Sequence, residues 1–90
     1  MRQERVIRVS NRFGLDICAA QRMVDLATQF GSQVSLYAHG RWADGKDIIE
    51  VITLDVRQGS DLTIRAEGED ASAAVNAIER LADLRFGEGS

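Results

Sequence analysis

Apolar residues recur along this chain with two different periods, and the way the periods alternate leaves few folds open. Every second residue is apolar in Val34, Leu36 and Ala38 and again in Leu62, Ile64 and Ala66. Ile17, Ala20, Val24 and Ala27 recur instead at helical spacing, joined by Met23, Leu26 and Phe30, as do Ala71, Ala74, Val75, Ile78, Leu81 and Ala82 near the end. Alternation marks a strand with one buried face, and a period of about 3.6 marks a helix with one buried stripe. The β-branched residues Val6, Ile7 and Val9 add a first strand from Glu4 to Ser10, with Ile7 and Val9 on one face and Arg8 on the other.

Turn and cap residues punctuate these segments. Gly14 breaks the pattern between Asn11 and Leu15, and Asp16 is placed to cap a helix running to about Phe30. Gly31 stops that helix, and His39-Gly40 makes a hairpin joining the second strand to Arg41-Trp42-Ala43. After Asp44-Gly45, Asp47 with Glu50 three residues on reads as a capping box opening a short helix to about Leu54. Gln58-Gly59-Ser60 turns the chain into the last strand, and Asp70 is placed to cap the final helix. The order is βαββαβα, which predicts an α+β open-faced sandwich: a four-stranded antiparallel sheet covered on one face by three helices. At 90 residues a single domain spanning 1–86 is expected, followed by a flexible tail, 87–90.

Composition narrows the function. A formal net charge of −3 with dispersed arginines argues against nucleic acid as a partner, because phosphate binding needs concentrated Lys and Arg. Cys18 is the sole cysteine, so no internal disulfide forms; with neither a cleavable signal pattern nor a long apolar run, a cytoplasmic protein with no membrane insertion is expected. One His and one Cys offer no paired-ligand spacing, so neither a metal nor another cofactor is predicted.

Asn11, Gly14-Leu15, Ala19-Ala20, Gly40, Gly45-Lys46-Asp47-Ile48-Ile49, Thr53-Leu54, Gln58-Gly59-Ser60-Asp61-Leu62-Thr63-Ile64 and Ala66-Glu67-Gly68-Glu69-Asp70 occur in an order and register that resemble HPr, the histidine-containing phosphocarrier of the bacterial sugar phosphotransferase system. The resemblance covers nearly the whole chain and implies the same open-faced fold. It also implies that Asp16 and Cys18 stand in the active-site segment. HPr proteins carry phosphate on a histidine directly after the Gly-Leu pair, where this chain has Asp16, and follow it with an arginine and a proline, where Cys18 and Ala19 stand here. Asp47 occupies the place of the regulatory serine of Gram-positive HPr. The resemblance therefore implies a variant that is phosphorylated on neither His nor Ser, a non-enzymatic adaptor that regulates by binding.

Each departure has a plain physical role beside the functional one. Asp16 and Asp47 are good N-caps, worth on the order of 1 kcal/mol each, and both also place fixed negative charge where the family places phosphate, with Lys46 beside Asp47 weakening it. Ile48, Ile49 and Ile52 crowd a helix too short to bury them all with Val51, so some apolar surface stays exposed. Asp16, Ile17, Asp47, Ile48, Ile49 and Ile52 form the expected partner-binding set, for a protein resembling Enzyme I, a sugar-specific acceptor or a transcriptional regulator. Cys18 is expected to be a small buried or half-exposed residue without a catalytic partner, His39 a turn residue, and Trp42 an aromatic packed on its strand neighbour. Arg12 and Phe13 are expected to be exposed loop residues that give this chain its own partner preference. Two other readings remain open: a true carrier with Asp16 as acceptor, and a structural domain that dimerises through an edge strand or the isoleucine patch. A monomer or weak dimer is expected.

Overall fold

In the computed structural model, which describes residues 1–88, the first strand β1 is Arg2–Arg8. It starts and ends two residues earlier than the β-branched run suggests. Pairing with the last strand reaches back to Arg2, opposite Glu67, while Val9 leaves the regular ladder and exchanges backbone bonds with the turn at Gly59 and Ser60. The remaining elements follow in the expected order: α1 Ile17–Ala27, β2 Gln33–Ala38, β3 Arg41–Asp44, α2 Ile48–Thr53, β4 Asp61–Glu67 and α3 Ala71–Asp83. A 3-10 turn at Arg85–Gly87 has no signal in the apolar pattern. Helix α1 stops short of Phe30 because the N–H groups of Gln29 and Phe30 reach back three residues, to Leu26 and Ala27, and so tighten the last turn out of α geometry.

The strands pair antiparallel throughout in the order β1-β4-β2-β3, so the chain's first strand lies beside its last. Ile7, Leu62, Ile64, Ala66, Val34, Leu36, Ala38 and Ala43 point to one face and are buried. Against that face lie the stripes of α1 (Ala20, Met23, Val24, Ala27) and α3 (Ala71, Ala74, Val75, Ile78, Ala82). Large side chains such as Met23, Leu36, Leu62, Ile64 and Ile78 are fully buried, each contributing roughly 1.5–3 kcal/mol before chain entropy is subtracted. The alternate residues of every strand face away from the helices.

Three local expectations are corrected. Ile17 does not join the buried stripe of α1; it is the first residue of the helix and is 67% exposed, while Ala19 and Ala20 take the buried positions of that turn. Asp70 precedes α3 but makes no cap bond: its carboxylate turns across to the α1–β2 junction and accepts from the Gly31 and Ser32 N–H groups, both at 2.9 Å, and from the Ser32 hydroxyl. At α2, Asp47 accepts from the N–H groups of Ile49 and Glu50, but Glu50 does not close the box onto Asp47; it accepts instead from the Asp44 N–H at 2.9 Å and so ties the end of β3 to the helix.

Of the expected tail, residues 89 and 90 lie outside the described residues. Arg85, Phe86 and Gly87 all have positive φ, which folds the chain back, buries the Phe86 ring and brings Glu88 to the loop before α1. There the Glu88 carboxylate accepts from Asn11 Nδ2 at 3.0 Å and from the Arg12 N–H at 2.8 Å.

Candidate functional site

The segment before α1 is held by backbone geometry. Gly14 has φ +61, and a Cβ there would lie 2.3 Å from the Val56 carbonyl oxygen, so only glycine lets the loop settle against the chain entering the Gln58 turn. The next N–H, of Leu15, donates to that same carbonyl at 2.8 Å. Asn11, fully buried, donates from Nδ2 to the Gly14 carbonyl at 2.7 Å as well as to Glu88. Asp16 thus leaves a fixed loop with extended backbone, and its Oδ1 accepts from the Ala19 N–H at 2.9 Å as the N-cap of α1.

Past the cap, Ile17 and Cys18 are both exposed, which corrects the expectation of a buried or half-exposed thiol: Ala19 and Ala20 take the inward positions of the first turn and leave Cys18 on the outer side. Asp16 lines two hollows. One, of about 250 Å³, is shared with Phe13, Cys18, Arg22, Arg85 and Glu88. The other, of about 370 Å³, lies between the loop and α2 and is shared with Arg12, Ile52, Asp55 and Arg57. The second hollow joins Asp16 to the isoleucine helix. Phe13, 60% exposed with the Arg12 guanidinium 5.3 Å from its ring centre, forms a wall common to both.

On α2 the isoleucines divide as the crowding argument requires. Val51 is fully buried, Ile48 and Ile52 are half-buried against the core, and Ile49 is 66% exposed. Ile17 and Ile49 are therefore the two large apolar side chains that the helices on this side leave in solvent. Asp47 caps the end of α2 opposite to Ile52 and lines neither hollow. The charge of Lys46 is not spent on Asp47: its Nζ donates to the Phe30 carbonyl at 2.7 Å, in the turn after α1. His39 lies in the β2–β3 turn with φ +54 and lines neither hollow.

Three contributors to this region were not singled out from the sequence. Arg22 stands four residues after Cys18, one helical turn on, so spacing alone puts it on the same face. Arg85 and Glu88 arrive only through the left-handed fold-back, which the apolar pattern does not encode. Glu88 is held below the usual carboxylate range, first by its bond from Asn11 and then by the Arg12 and Phe13 N–H groups. Among the described residues no three His, Cys, Asp or Glu side chains gather as a metal-ligand group, and no helix is long and apolar enough to cross a membrane.

Comparison with known proteins agrees with this architecture. A family model described as the PTS HPr component phosphorylation site matches residues 3–83. The phosphocarrier protein HPr of Cupriavidus necator is 36% identical over 86 residues, 96% of this chain and 97% of that protein. The phosphocarrier protein NPr of Shewanella violacea is 30% identical over 97% of this chain and 96% of its own. The crystal structure of HPr from Thermoanaerobacter tengcongensis superposes with a TM-score of 0.93 at 31% identity, covering 98% of this chain and 99% of that one. With a family model matched over nearly the whole chain and relatives of 30% identity or more aligned over nearly their full length, the chain belongs to the HPr family of phosphotransferase-system phosphocarriers.

Proposed function

We propose that this member of the family is a cytoplasmic adaptor that binds a phosphotransferase-system protein without carrying phosphate on histidine or serine. The observation that carries the reading is the state of Asp16. At the position where the resemblance puts the phosphorylated histidine, the side chain is a carboxylate occupied by the Ala19 N–H, at the foot of a helix whose dipole favours a fixed negative charge. A permanent carboxylate there mimics, with less charge, the anionic form of a carrier. Asp47 does the same at the start of α2.

The surface around them suits docking. Ile17 and Ile49 offer exposed apolar contacts, Ile48 and Ile52 support them from half-buried positions, and Asp16 and Asp47 supply charge at the two helix starts. Exposed apolar side chains with carboxylates at the neighbouring helix starts have the make-up of a protein interface. Arg12 and Phe13 stand at its edge, where sequence differences tune the choice of partner.

The test is incubation with Enzyme I and phosphoenolpyruvate, read by intact mass, with Asp16→His run beside the unmutated chain. The expected result is no adduct on the unmutated chain and phosphorylation of Asp16→His, meaning that docking persists and only the chemistry is absent. An adduct on the unmutated chain overturns the reading in favour of Asp16 as acceptor. No adduct on either protein overturns the assignment of the partner and favours a domain with no remaining link to phosphotransfer.

A further inference from the structure

Among the described residues nothing covers the sheet face turned away from the helices, and its side chains fall into rows set by strand register. One row crosses all four strands: Val6 on β1, Thr63 on β4, Tyr37 on β2 and Trp42 on β3. Val6 is 63% exposed, Trp42 46% and Tyr37 37%, and the two rings pack on each other with centres 4.9 Å apart. The neighbouring row on one side begins with Glu4 on β1 and Arg65 on β4, and the row on the other side begins with Arg8 and Asp61 on the same two strands. Charges of opposite sign therefore flank the apolar row in mirrored order: acid then base above it, base then acid below.

We propose that this face pairs with the same face of a second copy of the chain. A two-fold axis laid along the apolar row, perpendicular to the strands, sets Val6, Thr63, Tyr37 and Trp42 against themselves and exchanges the two flanking rows. Glu4 then faces Arg8 of the second copy, and Arg65 faces its Asp61; symmetry makes each pairing occur twice, as a self-complementary interface requires. The other in-plane two-fold, along the strands, sets Glu4 of one copy against Asp44 of the other, a like-charge contact that disfavours it. Charge order thus selects one arrangement.

Arg65 is already held in place within the chain. Its guanidinium lies 4.0 Å from the centre of the Trp42 ring and its Nε donates to Glu4 at 2.7 Å, so little side-chain freedom is left to lose on pairing. Four strands about 4.8 Å apart and seven residues of about 3.3 Å rise give a face of roughly 400 Å² in projection. That is small beside the roughly 800 Å² per partner of a standard interface, so the association is reversible and dependent on concentration.

Sedimentation velocity on the full chain across a wide concentration range tests this. The weight-average mass is expected to climb from monomer towards dimer, and Val6→Lys, at an exposed position, to raise the dissociation constant at least about tenfold. Glu4→Arg alone and Arg8→Glu alone each place like charges across the axis and weaken self-association; mixed in equal amounts, the two variants restore opposite charges at both pairings and recover dimer. Far-UV circular dichroism confirms that each variant is folded. A monomer at every concentration, pairing unaffected by Val6→Lys as an edge-strand or isoleucine-patch dimer gives, or a mixture no better associated than its components overturns the proposal.

Discussion

At the scale of single residues, the loop before α1 depends on atoms that have no substitute. Gly14→Ala introduces a Cβ against a backbone carbonyl at a positive φ, and the loop cannot yield without releasing the Leu15 bond to Val56; a loss of about 3 kcal/mol or more is expected, read as a lowered denaturant midpoint. Asp70 supports the α1–β2 junction through three accepted hydrogen bonds, and its carboxyl is held below the ordinary 3.8, first by the Ser32 hydroxyl and then by the Gly31 N–H. A carboxyl depressed by folding adds stability that is present above its unfolded value and lost as pH falls through its lower folded value. Glu88 acts in the same direction from the loop before α1. Stability should therefore decline as pH drops below about 4, and Asp70→Asn, less stable at neutral pH, should show a shallower acid decline in chemical denaturation followed across pH.

Among the elements, α2 sets a buried apolar side chain, Val51, beside an exposed one, Ile49, within six residues, and the proposed docking role falls to the exposed one. Val51 is fully buried, and Val51→Ala is expected to cost about 1.5–3 kcal/mol through lost burial and a cavity. Ile49 is exposed, so Ile49→Ser should leave the denaturation midpoint within about 0.5 kcal/mol of the unmutated chain. On the proposed function, the same change should weaken binding to Enzyme I by about tenfold or more in calorimetric titration, as removal of an apolar anchor does. That some apolar surface of α2 stays exposed was legible in the sequence, because a two-turn helix cannot turn Ile48, Ile49, Val51 and Ile52 all inward; that Ile49 is the exposed one emerges only from the packing. The role of Asp70 was not. An Asp just before a helix reads as a cap by local rules alone, and only the tertiary approach of Gly31 and Ser32 redirects its carboxylate. Glu50 misled in the same way, since its preference for the Asp44 N–H over Asp47 depends on where β3 ends.

For the molecule as a whole, periodicity and turn chemistry were enough to define four strands, three helices and a sheet covered on one side, because each buried position repeats with its element's own period. Strand order was not written locally, nor was the fold-back at Arg85–Gly87 that carries Arg85 and Glu88 to Asp16; three successive positive φ values leave no mark on a pattern of apolar residues. The placement of β4 between β1 and β2 also governs how the chain must acquire its structure. The β2–β3 hairpin can close early, but β1 has no partner until β4 exists, so the most sequence-distant pairing in the sheet waits on the loss of the largest loop entropy. During synthesis β1 emerges before the other strands of the sheet and remains an unpaired strand until β4 has been made, the interval in which this chain is most open to pairing with another.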